Sequence, residues 1–478
     1  MSRRAVEPVT AGRVAELAGA KVATGPESAV VSGVSDDSRT VAPGDLFFCV
    51  RGAATDGHDM AAGAVAGGAV ALVVDHVLDT VPQGTVQILV TSVRDAMGPL
   101  VSALVGEPAL RLLMIGVTGT NGKTSTAHFT AGILRAAGRR PVVIGTLSGP
   151  RTTPEPVDLH SQLADAAAGG ADTVVMEVSS HALVLRRVEG ITFDVAVFTN
   201  LSRDHLDFHG SMEDYMAAKA MLFEPSRARS AVINIDDEHG RALSVRCAVP
   251  HETFSRDDAV DARVRTDGVS FVWRGEQVDA PVGGAFAVSN LVAALTVAAA
   301  CGVPADVAAR AATSLVPVPG RFETVPTDGT YSVVVDYAHT PDALASLLGS
   351  VRSLTTGRMI VVFGCGGDRD RGKRPHMGTA VAGVADIAIV TSDNPRGEDP
   401  VAIIADITRA MTGTRTEVRV DADRASAIAS AISLAGSGDI VVIAGKGHEP
   451  YQEVAGVFVP FSDVDIARDA IERRRRTR

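Results

Sequence analysis

Cysteine is scarce in this sequence: Cys49, Cys247, Cys301 and Cys365 are the only four in 478 residues. They stand far apart and form no CxxC pair, which argues against a disulfide framework or a zinc site and fits a reducing compartment. Aromatic residues make up 4% and tryptophan occurs once, so the core must be packed mainly from Val, Ala, Leu and Ile. No apolar run reaches the ~18 residues needed to span a bilayer. Arg3 and Arg4 are followed by no uninterrupted apolar stretch of the kind a secretion signal carries. A cytoplasmic protein with no membrane insertion is expected. Excess positive charge is also missing, since the net charge of −11 argues against an extended nucleic-acid surface. The Arg473–Arg476 tail reads as a solvated, frayed end.

What is present is a hydrophobic content of 46% with 47 glycines, typical of a globular α/β protein. The length exceeds one ordinary core and implies about two to four domains. Leu46–Val50, Val70–Val74 and Val86–Val90 are short β-branched runs that read as strands of a small α/β unit. A break follows near Glu107-Pro108, ahead of a strand at Leu112–Ile115. From there to about residue 315 the pattern reads as strand then helix, repeated, with Thr173–Met176, Val195–Phe198 and Ala231–Ile233 as continuous apolar runs. Such runs suit parallel strands buried on both faces. Val316-Pro317-Val318-Pro319-Gly320 reads as a linker. The last third repeats the alternation through Ser332–Val335, Met359–Phe363, Ile387–Val390 and Ile440–Ile443. Three α/β domains are expected, at 1–108, 109–316 and 317–478.

The strand at Leu112–Ile115 feeds the loop Gly116-Val117-Thr118-Gly119-Thr120-Asn121-Gly122-Lys123-Thr124-Ser125. Glycines turn backbone N–H groups onto phosphate oxygens, and a following helix N-terminus adds partial positive charge. Lys123 is then expected to reach the β/γ-phosphates and the Thr124 hydroxyl to hold Mg²⁺. The usual spacing wants glycine at 117, where this chain has Val117, so the loop is a variant built on Gly119 and Gly122. ATP binding is the reading.

A second cluster follows. Glu177 ends its strand, a position suited to Mg²⁺, and is followed by Val178-Ser179-Ser180-His181. His205, in Arg203-Asp204-His205-Leu206-Asp207-Phe208-His209-Gly210, follows the next strand. Nitrogen is an unusual magnesium ligand, so His205 reads equally as a metal ligand or as a structural hydrogen-bonding residue. Ser211 with Asp214 resembles a capping box opening a helix that carries Lys219. Lys219 either snorkels to solvent, or is buried with a lowered pKa, so that its neutral amine captures CO₂ as a carbamate. The residues leave both open.

Together these motifs resemble the Mur ligase family, and within it the branch adding the third amino acid of the peptidoglycan stem peptide. The resemblance runs from Asp37-Ser38-Arg39 to Gly445-Lys446-Gly447-His448-Glu449. It implies a small N-terminal α/β UDP-sugar-binding domain, a central P-loop ATPase with a mainly parallel sheet, and a C-terminal Rossmann-like domain for the incoming amino acid. The implied reaction phosphorylates the D-glutamate γ-carboxylate of UDP-MurNAc-L-Ala-D-Glu with ATP and Mg²⁺, after which an amino group displaces phosphate. Carried over, Gly119, Thr120, Asn121, Gly122, Lys123, Thr124 and Ser125 form the ATP loop, joined by Asn290, Arg321, Asp336 and His339. Lys219 matches the family's carbamylated lysine (N6-carboxylysine) and, with Thr124, Glu177 and His205, the metal site. Ser38, Thr152, Thr153, Ser179 and Arg187 match sugar-peptide positions. Arg151 and Leu185 depart from the family's asparagine and glutamine there.

Asp393-Asn394-Pro395-Arg396 resembles the signature of the branch using meso-diaminopimelate. That amino acid ends in an ammonium and a carboxylate, and the planar fork of Arg396 suits the carboxylate. Arg369, Gly445 and Glu449 match further contacts. Asp393–Arg396 also reads as an Asx-Pro turn. L-Lysine is the alternative amino acid, a folylpolyglutamate synthase the alternative ligase, and a non-catalytic nucleotide-binding relative the alternative class. A monomer is expected.

Overall fold

The computed structural model describes residues 3–52 and 55–477, and the chain forms two compact units. One runs to Phe254 and takes in Thr296–Gly302; the other holds Ser255–Leu295 and Val303 onward.

The first unit contains two six-stranded sheets. The N-terminal sheet is built from β1 (Arg3–Thr10), β2 (Lys21–Thr24), β3 (Val30–Ser35), β4 (Asp45–Phe48), β5 (Ala69–Val74) and β6 (Val86–Leu89) in the order β1-β3-β4-β5-β6-β2. β3 to β6 are parallel, and the two outer strands run against their neighbours. The second sheet holds β7 (Leu113–Thr118), β8 (Pro141–Ile144), β9 (Thr173–Glu177), β10 (Phe193–Phe198), β11 (Ala228–Asn234) and β12 (His251–Phe254), ordered β12-β11-β10-β7-β9-β8. Every pairing in it is parallel. β9 is buried along its whole length, as its unbroken apolar run implies, because helices cover both faces of a parallel sheet. β7 lies between β9 and β10, so the loops leaving all three emerge side by side at one edge. Ligands of open parallel sheets bind at that edge.

The second unit departs from simple strand–helix alternation. Residues 260–280 form an antiparallel meander of β13 (Val260–Val264), β14 (Val269–Trp273) and β15 (Glu276–Ala280). The turn Arg274-Gly275 between β14 and β15 has positive φ at both residues, the backbone twist a two-residue hairpin requires. The remaining sheet comprises β16 (Glu323–Val325), β17 (Ser332–Asp336), β18 (Met359–Phe363), β19 (Ile387–Val390), β20 (Glu417–Val420) and β21 (Ile440–Ala444). Their order is β16-β17-β21-β18-β19-β20, parallel except for β16. Separate apolar clusters pack its two faces, one around Leu344, Phe363 and Ile404, the other around Ile428, Ile432 and Ile443. A hairpin, β22 (Tyr451–Val454) and β23 (Val457–Pro460), turns through Ala455-Gly456, again with both φ positive.

The 316–320 segment lies inside this unit, where Gly320 (φ +64) approaches so closely that a Cβ would meet His448 N at 2.1 Å. The arginine tail is not frayed as expected. It continues the helix Asp463–Thr477, and the Arg474 guanidinium donates to the carbonyls of Ile432 and Ala435 while lying over the Tyr331 ring. Those orphan carbonyls at a helix end hold it. The four cysteines are free thiols. No helix of the described residues is long and apolar enough to cross a membrane.

Candidate active site

The phosphate-type loop joins β7 to the helix Lys123–Ala136. Val117 is a buried strand residue, and the turn begins two positions later at Gly119 (φ +147), where a Cβ would sit 1.9 Å from Thr199 Oγ1. That contact explains why the glycine belongs at 119. The loop is bolted to the segment leaving β10: Thr120 N donates to Asn200 O (2.9 Å), Asn121 N to Asn200 Oδ1 (2.9 Å), and Thr199 Oγ1 to Asn121 O (2.6 Å). Lys123 Nζ donates to the Gly119 and Thr120 carbonyls.

Thr124, first-turn residue of the helix, donates from Oγ1 to Glu177 Oε2 at 3.0 Å. Glu177 is 1% exposed and also accepts from Thr146 N (2.8 Å). Two hard oxygen donors, one on the helix that follows β7 and its loop and one at the end of β9, thus lie together. This buried donor set suits Mg²⁺.

Lys219 does not snorkel. Ser211 caps the helix Met212–Ala220 by accepting from Asp214 N, and Lys219 is 1% exposed with Nζ donating to Gly119 O at 2.8 Å. Its amine lies 4.5 Å from the Tyr215 ring centre. Burial, reinforced by the Lys123 charge, holds its pKa well below the usual lysine value. A cationic amine is no metal ligand, whereas a carbamate on it is. His205 has positive φ and caps the short helix Leu206–His209. Its ring stands edge-on to His181 at 4.8 Å. Burial lowers its pKa, with the Asp204 charge opposing and the Lys123 charge reinforcing the shift.

The sugar-side candidates also converge. Thr153 Oγ1 donates to Glu177 O (2.9 Å) and accepts from Ser179 N (3.0 Å), Thr152 Oγ1 lies 3.0 Å from Thr146 Oγ1, and Arg187 donates to Thr153 O (3.3 Å) and pairs with Glu155 (2.8 Å). Ser38 sits in the Asp37–Thr40 turn after β3. The adjacent Asp36 carboxyl is pushed up to about 7 by burial and by the Glu155 and Asp158 charges. Arg151 stays 3.8 Å from Glu155, and the Leu185 carbonyl accepts from Arg94.

In the second unit, Asp336 ends β17 and accepts from Phe322 N (2.7 Å) and Ala338 N (2.8 Å). Arg321 lies over the Tyr337 ring at 4.5 Å, and His339 Nδ1 is 2.8 Å from Tyr337 O. Asn290 stands half-buried on the helix Ala285–Ala300.

The Asp393–Arg396 segment is a turn at the end of β19, and more than a turn. Asn394 Nδ2 donates to Glu449 Oε2 (2.8 Å), which also takes Lys446 Nζ (3.0 Å); Lys446 donates to Asn394 Oδ1 as well (2.9 Å). Gly445 (φ +117) leaves room for Asp393, whose Oδ2 would be 2.6 Å from a Cβ there. Pro395 follows with its carbonyl against Gly367, and Gly366 lies between Arg396 and the exposed Arg369.

Thr146, His181, Thr199, Asn200, Tyr215 and Lys446 went unassigned in the sequence. Lys446 carried a signal, a charge between two glycines after a buried strand. Thr146 carried none, because only folding brings it to Glu177.

Three family profiles cover this chain: the Mur ligase family catalytic domain at residues 30–104, the Mur ligase middle domain at 117–298, and the Mur ligase glutamate ligase domain at 320–447. A UDP-N-acetylmuramoyl-L-alanyl-D-glutamate–2,6-diaminopimelate ligase of Streptomyces coelicolor is 43% identical over 493 residues, covering 97% of each chain. A solved structure of a ligase of that name superposes with a TM-score of 0.66 at 35% identity, covering 92% of this chain and 95% of that one. MurF from Acinetobacter baumannii, at 18% identity and a TM-score of 0.65 over 93% and 97%, shares the fold.

Proposed function

We propose, from the premise that this chain belongs to the Mur ligase family, that it joins meso-diaminopimelate to the D-glutamate γ-carboxylate of UDP-MurNAc-L-Ala-D-Glu, using ATP. It is an ATP-dependent ligase of peptidoglycan precursor synthesis. The observation that carries the choice of amino acid is the turn Asp393–Arg396, whose Asn394 holds Glu449 and Lys446 and whose arginine is fixed against the Gly367 carbonyl. An arginine there has no use for lysine, which lacks the distal carboxylate.

The substrate carboxylate attacks the γ-phosphorus of ATP and ADP leaves, giving an acyl phosphate. The diaminopimelate amine then adds to the carbonyl carbon, and inorganic phosphate departs with the C–O bond electrons. A carboxylate resists amines until its oxygen becomes phosphate, and the converging anions need neutralising. Loop N–H groups from Gly119 to Ser125 and the Lys123 ammonium serve the ATP phosphates. Mg²⁺ bound at this edge supplies charge neutralisation, and Thr124, Glu177 and His205 would hold it. Lys219 joins that set once its neutral amine adds CO₂ and releases a proton. Its burial and lowered pKa support this reading. Thr152, Thr153, Ser179, Arg187 and Ser38 hold the sugar-peptide. Asn290, Arg321, Asp336 and His339 are assigned to the nucleotide. We assign residues 1–108, 109–316 and 317–478 to UDP-sugar, ATP and amino-acid binding, in a cytoplasmic enzyme.

The test is phosphate release from ATP with UDP-MurNAc-L-Ala-D-Glu, comparing meso-diaminopimelate with L-lysine at matched concentration. Turnover with diaminopimelate alone is expected. Turnover with lysine would overturn the specificity.

A further inference from the structure

Arg396 is a large residue held at φ +52, a left-handed conformation that non-glycine residues rarely adopt. The hairpin β22–β23 holds it there. Arg396 N donates to Glu453 O (3.0 Å) and Ala455 N to Arg396 O (2.7 Å), so the turn is stitched to the hairpin edge as an extra bridge. The same strand grips the rest of the motif: Gln452 Nε2 donates to Asp393 O (2.6 Å) and Glu453 N to Asn394 Oδ1 (3.0 Å). Side chains continue the pattern. Arg396 Nε donates to Glu453 Oε2 (3.0 Å) and Nη1 to Gly367 O (2.8 Å).

We propose that Glu453 is a positioning residue for amino-acid selection, setting the orientation in which Arg396 presents its guanidinium. The inference rests on the reading above that Arg396 grips the distal carboxylate of diaminopimelate. A guanidinium has five N–H groups. With Nε given to Glu453 and one Nη1 hydrogen to Gly367, the end-on pair of Nη1 and Nη2 remains for a carboxylate. An arginine without this tether has several rotamers, and a ligand must then bear the entropy of selecting one. Arg396 and Glu453 are both about one-fifth exposed (22% and 21%), so solvent screens their pairing less than a surface pair.

Glu453 also carries a charge opposed to the ligand carboxylate, so its two effects have opposite signs. Orientation is expected to dominate, because the carboxylate of Glu453 faces Nε and not the end-on pair. Glu453→Gln keeps an acceptor for Nε and removes the charge; Glu453→Ala removes both.

The experiment measures steady-state kinetics of the full-length enzyme for each substrate, with Trp273 fluorescence confirming that each variant is folded. Glu453→Ala should raise KM for meso-diaminopimelate about tenfold, the range for losing one charge-assisted hydrogen bond. Its kcat, and KM for ATP and the UDP-substrate, should stay within about twofold. Glu453→Gln should fall between wild type and Glu453→Ala. Adding Glu453→Ala to Arg396→Ala should cost nothing further, a signature that a merely structural role would not give. If Arg396→Ala raises KM and Glu453→Ala leaves it unchanged or lowers it, the positioning role is overturned while the Arg396 reading stands. If Arg396→Ala itself leaves KM unchanged, both are overturned.

Discussion

Replacing Asp463 with alanine strips the counter-ion from Arg424 in a place water does not reach. Both side chains have 0% exposure, and they meet through two parallel bonds, Nε to Oδ1 and Nη2 to Oδ2, each 2.7 Å. Arg424 also donates to Ala444 O (3.0 Å) and Ser392 O (3.4 Å), so it ties the ends of β21 and β19 just before Gly445 and Asp393. Taking one partner from a buried pair leaves an uncompensated charge and costs about 3–5 kcal/mol. That is a large part of a typical domain's stability of about 5–15 kcal/mol. The single tryptophan, Trp273, is buried in β14 of the same unit. A bond from Thr324 Oγ1 to Thr266 O joins the meander to the large sheet. Urea unfolding followed by Trp273 fluorescence therefore reports the loss. Arg424→Met with Asp463→Leu should be less damaging than Asp463→Ala alone, because no charge is stranded. A loss below about 0.5 kcal/mol for Asp463→Ala, the range of surface substitutions, would refute the reasoning, as would a double variant worse than the single one.

Three further outcomes are expected. His160 is fully buried, donates from Nε2 to Glu189 O, and is held neutral by burial with its pKa pushed down to about 4. Its stabilising contribution is therefore complete above the unfolded value of 6.5 and lost as pH falls toward 4, by about 3 kcal/mol. A stability–pH profile for His160→Gln should be flatter over that window than the wild-type profile. Lys219→Met should fold but lose most activity, and depleting CO₂ should slow the wild type; wild-type turnover indifferent to CO₂ would count against the carbamate. Thr124→Ala removes the hydroxyl facing Glu177 and should lower kcat by about 10²-fold, with the unfolding midpoint little changed.

Much of this architecture was legible because buried parallel strands advertise themselves. Each of β7, β9, β10, β18, β19 and β21 carries an apolar run, and the candidate site motifs follow their C-terminal ends. β1, β2 and β3 were harder to see, since outer and mixed strands alternate with polar residues, as the exposed positions of β1 illustrate. The meander of 260–280 was hidden by the same alternation. For Lys219, the sequence left two fates open; only the packing of Tyr215 and Gly119 around its amine decides between solvent and burial. Contacts made by distant segments had no linear signature: Thr146 reaches Glu177 from 31 positions away, and Glu453 reaches Arg396 from 57. The motif Asp393–Arg396 read both as an Asx-Pro turn and as a candidate amino-acid contact, but gave no hint of the hairpin that supports it.

The bolting of the phosphate-type loop to Thr199 and Asn200 bears on the heat of nucleotide binding. A glycine-rich loop left to itself samples many shapes, and a ligand that orders it loses conformational entropy in doing so. Here Gly119 is wedged against Thr199, Asn121 is held from both its N–H and its carbonyl, and Lys219 fastens the Gly119 carbonyl from behind. The ordering is done during folding, by Thr199, Asn200 and Lys219. Nucleotide binding to the loop should accordingly show a small heat-capacity change in calorimetry, without the large signature of coupled folding.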